Sequence, residues 1–220
     1  MAADVATLAA GERGVVRLGV FQTAAAFLLP EPLGRFHRAR PGVELDLYEV
    51  DDPRELLLRL VRGDLDIAFG LPGQLGSEEL EMRPLVDDRW MLLSPRAEPL
   101  TREDEVPIGL LDGLPMIAWE LSTGAQADIE ATLRRRGINP RIVFRTNDNV
   151  ALTRFVGAGI GHACVGALFG RSVGDDDILV RPLRGPLAPR RIALFTSRHR
   201  PTGAAAQALV DEIVRHHGAA

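Results

Sequence analysis

The apolar positions of residues 14–71 alternate between two periodicities along the chain. Runs rich in β-branched residues, or with every second position apolar, indicate strands, and apolar residues three and four positions apart indicate amphipathic helices. Because the connections are short, a β-α-β-α-β order of such segments predicts a parallel sheet covered by helices. The predicted segments are strand 14–21, helix 24–39, strand 43–50, helix 53–63 and strand 64–71.

Proline and glycine indicate where these helices begin and end. Asp52 precedes Pro53, which predicts a helix start with proline in the first turn, and Gly63 predicts the C-cap of the same helix. Pro30 and Pro32 are expected either to kink the first helix or to delay its regular part.

A second series of strands and helices follows. Residues 82–95 predict a strand pair or one long strand, and the polar segment 97–108 is a candidate boundary. We predict a two-lobed α/β fold, each lobe a mainly parallel sheet flanked by helices, with residues 14–93 and 193–218 in lobe I and 94–192 in lobe II. The later predicted elements are strand 114–120, helix 122–136, strand 141–146, helix 149–157, strands 159–166, 178–183 and 190–197, and helix 203–217.

The composition narrows the class of protein. The net charge of −4, without a basic block, argues against direct contact of this chain with nucleic-acid phosphates. All 26 basic residues are arginine, so Schiff-base chemistry on a lysine amine is excluded. Cys164 is the only cysteine, so no intrachain disulfide can form. The N-terminal residues show no signal-peptide pattern and no apolar run approaches membrane-spanning length, so we expect a cytoplasmic protein.

Several sequence blocks resemble the effector-binding domain of LysR-type transcriptional regulators. They are VVRLGV followed by FLLPEPLGRFHRARPGVELDLYE, RELLLRLVRGDLDIAFG, LVDDRWMLLSP and RIVFRTNDNVALTRFVGAGIGHACVG. No single block is specific, but their order and spacing are those of the family. The likeness covers roughly residues 14–217.

The resemblance implies the two-lobed fold of type II periplasmic binding proteins, with a small-molecule effector held in the cleft between the lobes. It also implies homodimers or tetramers, no cofactor, and contact with DNA only through an N-terminal winged helix-turn-helix that this chain does not contain. Residues 1–13, where Val5, Leu8 and Ala9 have helical spacing, resemble the tail of the linker helix that precedes the domain.

Candidate ligand contacts in lobe I follow from the positions of strand ends. In two-lobed α/β modules the ligand lies where strand ends and helix N-termini face the cleft. This predicts contacts for Gln22 and Thr23, which follow the first strand, and for Phe69 and Gly70, which end a later one. Thr23 aligns with a polar residue that often contacts effector in the family, and a plain N-cap is the alternative. Gly70 either permits close backbone approach or only forms a turn.

The equivalent junction of lobe II contains Trp119, Ser122 and Thr123. The two hydroxyls are either ligand contacts or helix caps. The indole of Trp119 is either an apolar or stacking wall of the pocket or a core residue.

Further candidates lie at the next strand-to-helix turn and strand. Arg145, Asn147 and Asn149 cluster there, and an arginine facing the cleft would select an anionic effector through two parallel hydrogen bonds, with a surface arginine as the alternative. His162 and Cys164 share one strand face and either line the pocket or pack in the core. A redox switch at the thiol is the alternative to an inert cysteine. Further ligands at metal-binding spacing are not evident, so no metal site is predicted.

Three classes of function remain open. The leading hypothesis is effector sensing, in which ligand affinity differs between two quaternary states of a regulator. The second is the solute-binding protein of an importer, built on the same fold. The third is an enzyme, which would need a nucleophile, a base and an orienting group in one cleft. The five histidines show no such grouping with Ser, Asp or Glu, so no catalytic residue is predicted.

Overall fold

The computed structural model describes residues 11–76, 78–97 and 100–218, and their contacts divide the chain into two units. The first unit runs to Val86 and resumes at Arg191, and the second spans Asp87–Arg190. The predicted linker-helix tail falls on residues 1–13, of which residues 1–10 lie outside the described part of the chain.

Strands and helices alternate along most of the described chain. The strands are β1 (Gly14–Val20), β2 (Val43–Glu49), β3 (Ile67–Gly70), β4 (Leu80–Asp88), β5 (Trp90–Pro95), β6 (Val106–Pro107), β7 (Pro115–Ala118), β8 (Arg141–Arg145), β9 (Ala163–Gly166), β10 (Ile178–Arg184) and β11 (Arg190–Ser197). The helices are α1 (Gln22–Phe27), α2 (Pro30–Ala39), α3 (Pro53–Arg62), α4 (Ala125–Arg135), α5 (Asn149–Gly157), α6 (Ala167–Gly170) and α7 (Ala204–His217).

The first unit contains a five-stranded sheet with the order β2-β1-β3-β11-β4. β1 runs parallel to both β2 and β3, so the β-α-β-α-β arrangement predicted for residues 14–71 is confirmed. β11 returns from the second unit and pairs antiparallel with β3. The side chains of Leu18, Leu56, Ile67 and Leu194 are fully buried, and burial of such apolar area is the main favourable term in folding.

Local signals set the helix ends of the first unit. The Asp52 carboxylate accepts the backbone N–H of Arg54 at 2.9 Å and caps α3, and Gly63 ends that helix in the left-handed region at φ +95°. Pro30 occupies the first turn of α2, where its missing N–H has no intrahelical partner to lose. The predicted helix 24–39 is therefore split into α1 and α2 at this point.

The second unit contains a four-stranded sheet, β6-β10-β5-β9, and a separate parallel pair, β7-β8. β5 is antiparallel to both β10 and β9, whereas β10 is parallel to the short β6. The expectation of a mainly parallel sheet fits β7-β8, but the sheet around β5 is mixed. β5 is the first strand after the chain enters the second unit, and β10 is the last strand before the chain leaves that unit. These two strands lie side by side and run in opposite directions, so the sheet is mixed.

The chain crosses between the units at earlier residues than the predicted 93–94 and 192–193. β5 pairs with β9 and β10, and both of these strands belong to the second unit, so all of β5 lies there. β4 and β5 are separate strands of different sheets. The hydrophobic pattern could not locate the crossing, because only Arg89 separates these two strands.

The strand predicted over 159–166 begins only at Ala163. The backbone N–H groups of Gly159 and Ile160 donate to the carbonyls of Val156 and Phe155, so the preceding residues close the end of α5. These hydrogen bonds pair backbone groups at the C-terminal end of α5, and a strand that began at residue 159 would have to pair the same groups elsewhere.

Candidate functional site

One candidate edge lies in the first unit, at the carboxyl ends of two neighbouring strands. β1 and β3 are parallel and in register at Gly19 and Ala68. Gln22 and Thr23 follow β1 as the first residues of α1, and Gly70 ends β3. Because neighbouring parallel strands end at the same sheet edge, these predicted residues are brought together.

Thr23 is not the N-cap of α1. The helix begins at Gln22, and its N-cap is Phe21, which has extended backbone angles and makes no side-chain cap hydrogen bond. Thr23 therefore lies inside the first turn, where its side chain is buried at 4% exposure. The alternative that explained this threonine as a plain N-cap is wrong, and Gln22 beside it is half-buried.

Phe69 and Gly70 have packing roles in the first unit. Phe69 is fully buried in β3. A Cβ on Gly70 would lie 2.9 Å from a Leu57 methyl and 3.1 Å from the Phe195 ring. The absence of a side chain at Gly70 therefore lets α3 and β11 approach β3 closely, and Phe69 belongs to the same core.

The second candidate edge lies in the second unit, at the carboxyl ends of β7 and β8. Ala118 and Arg145 are register partners, and the next residues continue the contact. The Trp119 indole N–H donates to Asn149 Oδ1 at 3.0 Å. The Glu120 backbone N–H donates to Asn147 Oδ1, also at 3.0 Å. The two strand-to-helix junctions are thus joined by amide side chains, as expected for neighbouring parallel strands.

Ser122 and Thr123 lie in a short 3₁₀ turn ahead of α4, which begins at Ala125 and not at Ser122 as predicted. The Thr123 hydroxyl donates to the Glu120 carbonyl at 3.1 Å and accepts the Gln126 backbone N–H at 3.3 Å. The Thr123 hydroxyl is therefore engaged within this turn, although the N-cap residue of α4 is Gly124. The Ser122 side chain is exposed.

Arg145 forms an ion pair with Glu130. Its Nη1 donates to Glu130 Oε1 at 2.9 Å and to the Trp119 carbonyl at 2.8 Å, and its Nη2 donates to Glu130 Oε2 at 3.2 Å. Burial of the Glu130 carboxyl disfavours its charged form, but hydrogen bonds from Arg145 and Gln126 outweigh burial and lower its pKa. The guanidinium predicted to select an anionic ligand is therefore engaged within the protein.

Two charged residues that pair close to Trp119 were not predicted from the sequence. Asp88 and Arg190 form a buried ion pair, with side chains 0% and 7% exposed, and the Arg190 guanidinium lies 5.6 Å from the centre of the Trp119 ring. One signal could have found them. Both lie just before a run of apolar residues, WMLL after Asp88 and IALF after Arg190, where an unpaired charge would be costly.

His162 and Cys164 are buried in the second unit. His162 donates its backbone N–H to Pro115 and accepts that of Ile117, which ties it to β7. Burial raises the pKa of the Cys164 thiol to about 12, so the thiolate is scarce at neutral pH. Cys164 also lines a cavity of about 10 Å³ beside α4, which is the volume of roughly one water molecule.

A larger groove of about 510 Å³ runs along α5 within the second unit. Its lining includes Asn149, Thr153, Phe169 and Asp175. The groove therefore shares Asn149 with the edge that contains Trp119. Among the described residues there is no cluster of three or more His, Cys, Asp or Glu side chains that could hold a metal ion. Within the same residues, no helix combines the length and apolar character needed to cross a membrane.

Comparison with known sequences identifies a family. The family model described as LysR substrate binding domain matches residues 9–218. The chain is 30% identical over 207 residues to YfeR of Shigella flexneri, named an uncharacterized HTH-type transcriptional regulator. That match covers 93% of this chain but 65% of the relative, so the chain spans less than two thirds of the relative's length.

Comparison with solved structures gives the same fold. The regulatory domain of CcmR from Synechocystis PCC6803, solved in complex with 2-PG, superposes with a TM-score of 0.82 at 20% identity, covering 93% of this chain and 98% of that one. The effector-binding domain of QuiR, solved in complex with shikimate, gives 0.80 at 17% identity, covering 94% and 98%. At these identities the likeness shows the fold, which is the type II periplasmic-binding-protein-like fold predicted from the sequence.

Proposed function

Because the chain belongs to the LysR substrate binding domain family, we propose that it senses a small-molecule effector for a LysR-type transcriptional regulator. The effector is bound in the inter-lobe cleft that the sequence predicts, with Thr23 at the first edge and Trp119 and Asn149 at the second. The observation that carries the proposal is the second edge, where the hydrogen bond to Asn149 fixes the Trp119 indole. This indole is 5% exposed, and we propose that it forms the wall of the site. Ligand sites combine such an aromatic wall with few polar groups of fixed orientation.

The chemistry of the effector follows from which side chains are already engaged. The Arg145 guanidinium is paired with Glu130, so the reason for expecting an anion from this residue no longer applies. The other predicted polar contacts carry amide, hydroxyl, indole and imidazole groups. We therefore propose an effector with an apolar face and hydroxyl or carbonyl groups, whose recognition does not depend on a carboxylate selected by Arg145.

In the complete regulator, effector binding is proposed to shift the equilibrium between two quaternary states. Such coupling requires the effector to bind one state more tightly than the other. The same proposal includes self-association through this domain and DNA contact through a separate N-terminal domain. It also places the complete regulator in the cytoplasm. The relative named above is an HTH-type regulator, which supports this role over an importer's solute-binding protein or an enzyme.

A thermal-shift screen tests the proposal. The compounds are small organic acids, amino acids, aromatic carboxylates, phosphorylated metabolites and, for each acid, its neutral amide. A ligand that binds only the folded state raises the unfolding midpoint by mass action. We expect a saturable shift of the unfolding midpoint with one chemical class. If the neutral amide of an active acid gives the same shift, recognition does not require a carboxylate.

A pair of threonine variants makes the same screen specific. Thr23→Val keeps the side-chain volume but removes the hydroxyl, whereas Thr132→Val makes the same change within α4, away from both edges. We expect Thr23→Val to need about tenfold more ligand for the same shift, as for loss of one hydrogen bond, and Thr132→Val to behave like the parent chain. A flat screen with the parent chain, or equal loss in both variants, would count against the proposal.

A further inference from the structure

The ion pair between Asp88 and Arg190 links the two places where the chain passes between units. Asp88 lies at the end of β4, two residues after Val86, and Arg190 is the last residue of the second unit. Arg190 Nη2 and Nε lie 2.5 and 3.2 Å from Asp88 Oδ2. Because both side chains are withdrawn from water, each charge depends on the other, and removal of one leaves a buried charge uncompensated.

Two neighbours hold the pair in one geometry. The second carboxylate oxygen of Asp88 accepts the backbone N–H of Leu168 at 2.8 Å. A Cβ on Gly166 would overlap Asp88 Oδ2 and lie 2.7 Å from Arg190 Nη2. Gly166 has an ordinary negative φ of −72°, so its lack of a side chain serves close approach and not an unusual backbone conformation.

The other face of the pair is in contact with the candidate effector wall. The Arg190 guanidinium lies 5.6 Å from the centre of the Trp119 ring, and the Trp90 ring lies 6.4 Å from it at an angle of 45°. The Trp119 indole N–H in turn donates to Asn149. A continuous set of contacts therefore runs from both crossing strands, through Arg190, to the indole.

We propose that Asp88, Arg190 and Gly166 are positioning residues that fix the Trp119 indole in the orientation that it presents to the effector. Arg190 acts through Trp119, and Asp88 acts by holding Arg190. Since coupling between two positions is reciprocal, an effector that displaces the indole also alters the contact between the two crossing strands. This inference rests on the proposed function for the identity of the wall, while the positioning itself is measurable without any effector.

Hydrogen exchange at the indole tests the positioning. The chain has two tryptophans, so uniform ¹⁵N labelling gives two indole N–H signals beside the backbone amides, and a Trp90→Phe sample assigns them. Exchange of the Trp119 indole proton is compared with exchange of the β5 backbone amides in the same sample. A loss of stability throughout the unit accelerates both, whereas loss of positioning accelerates the indole proton alone.

Four variants separate the outcomes. Gly166→Ala and Arg190→Met disturb the pair, Arg190→Lys keeps its charge, and Arg154→Met removes a guanidinium from an ion pair on α5 whose arginine side chain is 77% exposed. We expect Gly166→Ala and Arg190→Met to raise indole exchange relative to the amides by about tenfold, Arg190→Lys to raise it less, and Arg154→Met to leave it unchanged.

Two results would overturn the inference. One is an unchanged exchange ratio in folded Gly166→Ala and Arg190→Met samples, and the other is equal acceleration of the indole and amide protons. If Arg190→Met does not fold, Gly166→Ala and Arg190→Lys decide the question. The measurement uses no effector, so a flat compound screen would remove the proposed function and leave this result standing.

Discussion

Arg145 and Glu130 meet through two nearly parallel hydrogen bonds, Nη1 to Oε1 at 2.9 Å and Nη2 to Oε2 at 3.2 Å. The two side chains are 25% and 14% exposed, so the pair is only partly accessible to water. Arg145 also donates to the Trp119 backbone carbonyl, so this ion pair is bonded to the residue that carries the proposed effector wall. Its geometry is that of a structural pair that supports the ends of β7 and β8.

Removal of the Glu130 charge is expected to destabilise the chain. Glu130→Gln leaves Arg145 without its counter-charge, and we expect the free energy of unfolding to fall by about 1–3 kcal/mol. Urea unfolding measures the change, and Glu105→Gln, which removes a carboxylate from an exposed pair with Arg184, is the matched control. An effect of Glu130→Gln no larger than that of the control would contradict a structural role for the pair.

Acid is expected to weaken the fold partly through the same carboxyl group. The pKa of Glu130 is lower in the folded chain than its ordinary value, so the unfolded chain binds the proton first. The stability contributed by Glu130 is therefore fully present above about pH 4.3 and is lost as pH falls through the lowered folded-state pKa. The unfolding midpoint, measured from pH 6 to pH 3, should fall less steeply for Glu130→Gln than for the parent chain. Parallel curves would argue against this assignment.

Cys164 is expected to be inert in the native state. Burial raises the pKa of its thiol to about 12, and the side chain is enclosed within the second unit. A thiol-reactive dye at pH 8 should label the native chain only slowly and the urea-unfolded chain with one equivalent. Rapid labelling of the native chain would instead favour the redox-switch alternative.

His217 is expected to make stability depend on pH near neutrality. Burial lowers the pKa of its imidazole, which outweighs the opposing effect of the Leu28 carbonyl 2.7 Å from Nε2. The unfolded chain therefore binds the proton first, and the contribution of His217 is present above about pH 6.5 and lost as pH falls below it. The drop in unfolding midpoint from pH 7.5 to pH 5 should be smaller for His217→Gln than for the parent chain. His37→Gln, at an exposed histidine, should keep the full drop.

The sequence predicted those features of the fold that depend on neighbouring residues. The Asp52 cap, the left-handed Gly63 and the break at Pro30 each follow from a few adjacent positions, and all three are present. Thr23 was interpreted less well, because the helix already begins at Gln22, after the extended Phe21, and the threonine therefore lies inside the first turn. Where adjacent residues decide the local conformation, the sequence pattern was sufficient to predict it.

The features that the sequence did not predict depend on residues far apart in the chain. Arg145 and Glu130 are separated by 15 positions, and Asp88 and Arg190 by 102. Periodicity assigns a residue to a strand or a helix face, but it does not say which opposite charge lies across from it. The candidate edges were therefore predicted from the parallel strands, whereas the partners that occupy Arg145 and orient Trp119 became apparent only from the three-dimensional arrangement.

The position of β11 between β3 and β4 has a consequence for the order in which the chain can fold. β4 joins the first sheet only beside β11, and β11 follows the whole second unit in the sequence. During synthesis the second unit is therefore complete before the first sheet can close, and until then the edges of β3 and β4 lack their native neighbour. Exposed strand edges of this kind promote misassembly. A nascent chain interrupted before Arg190 should be captured by chaperones far more than one interrupted after Ser197.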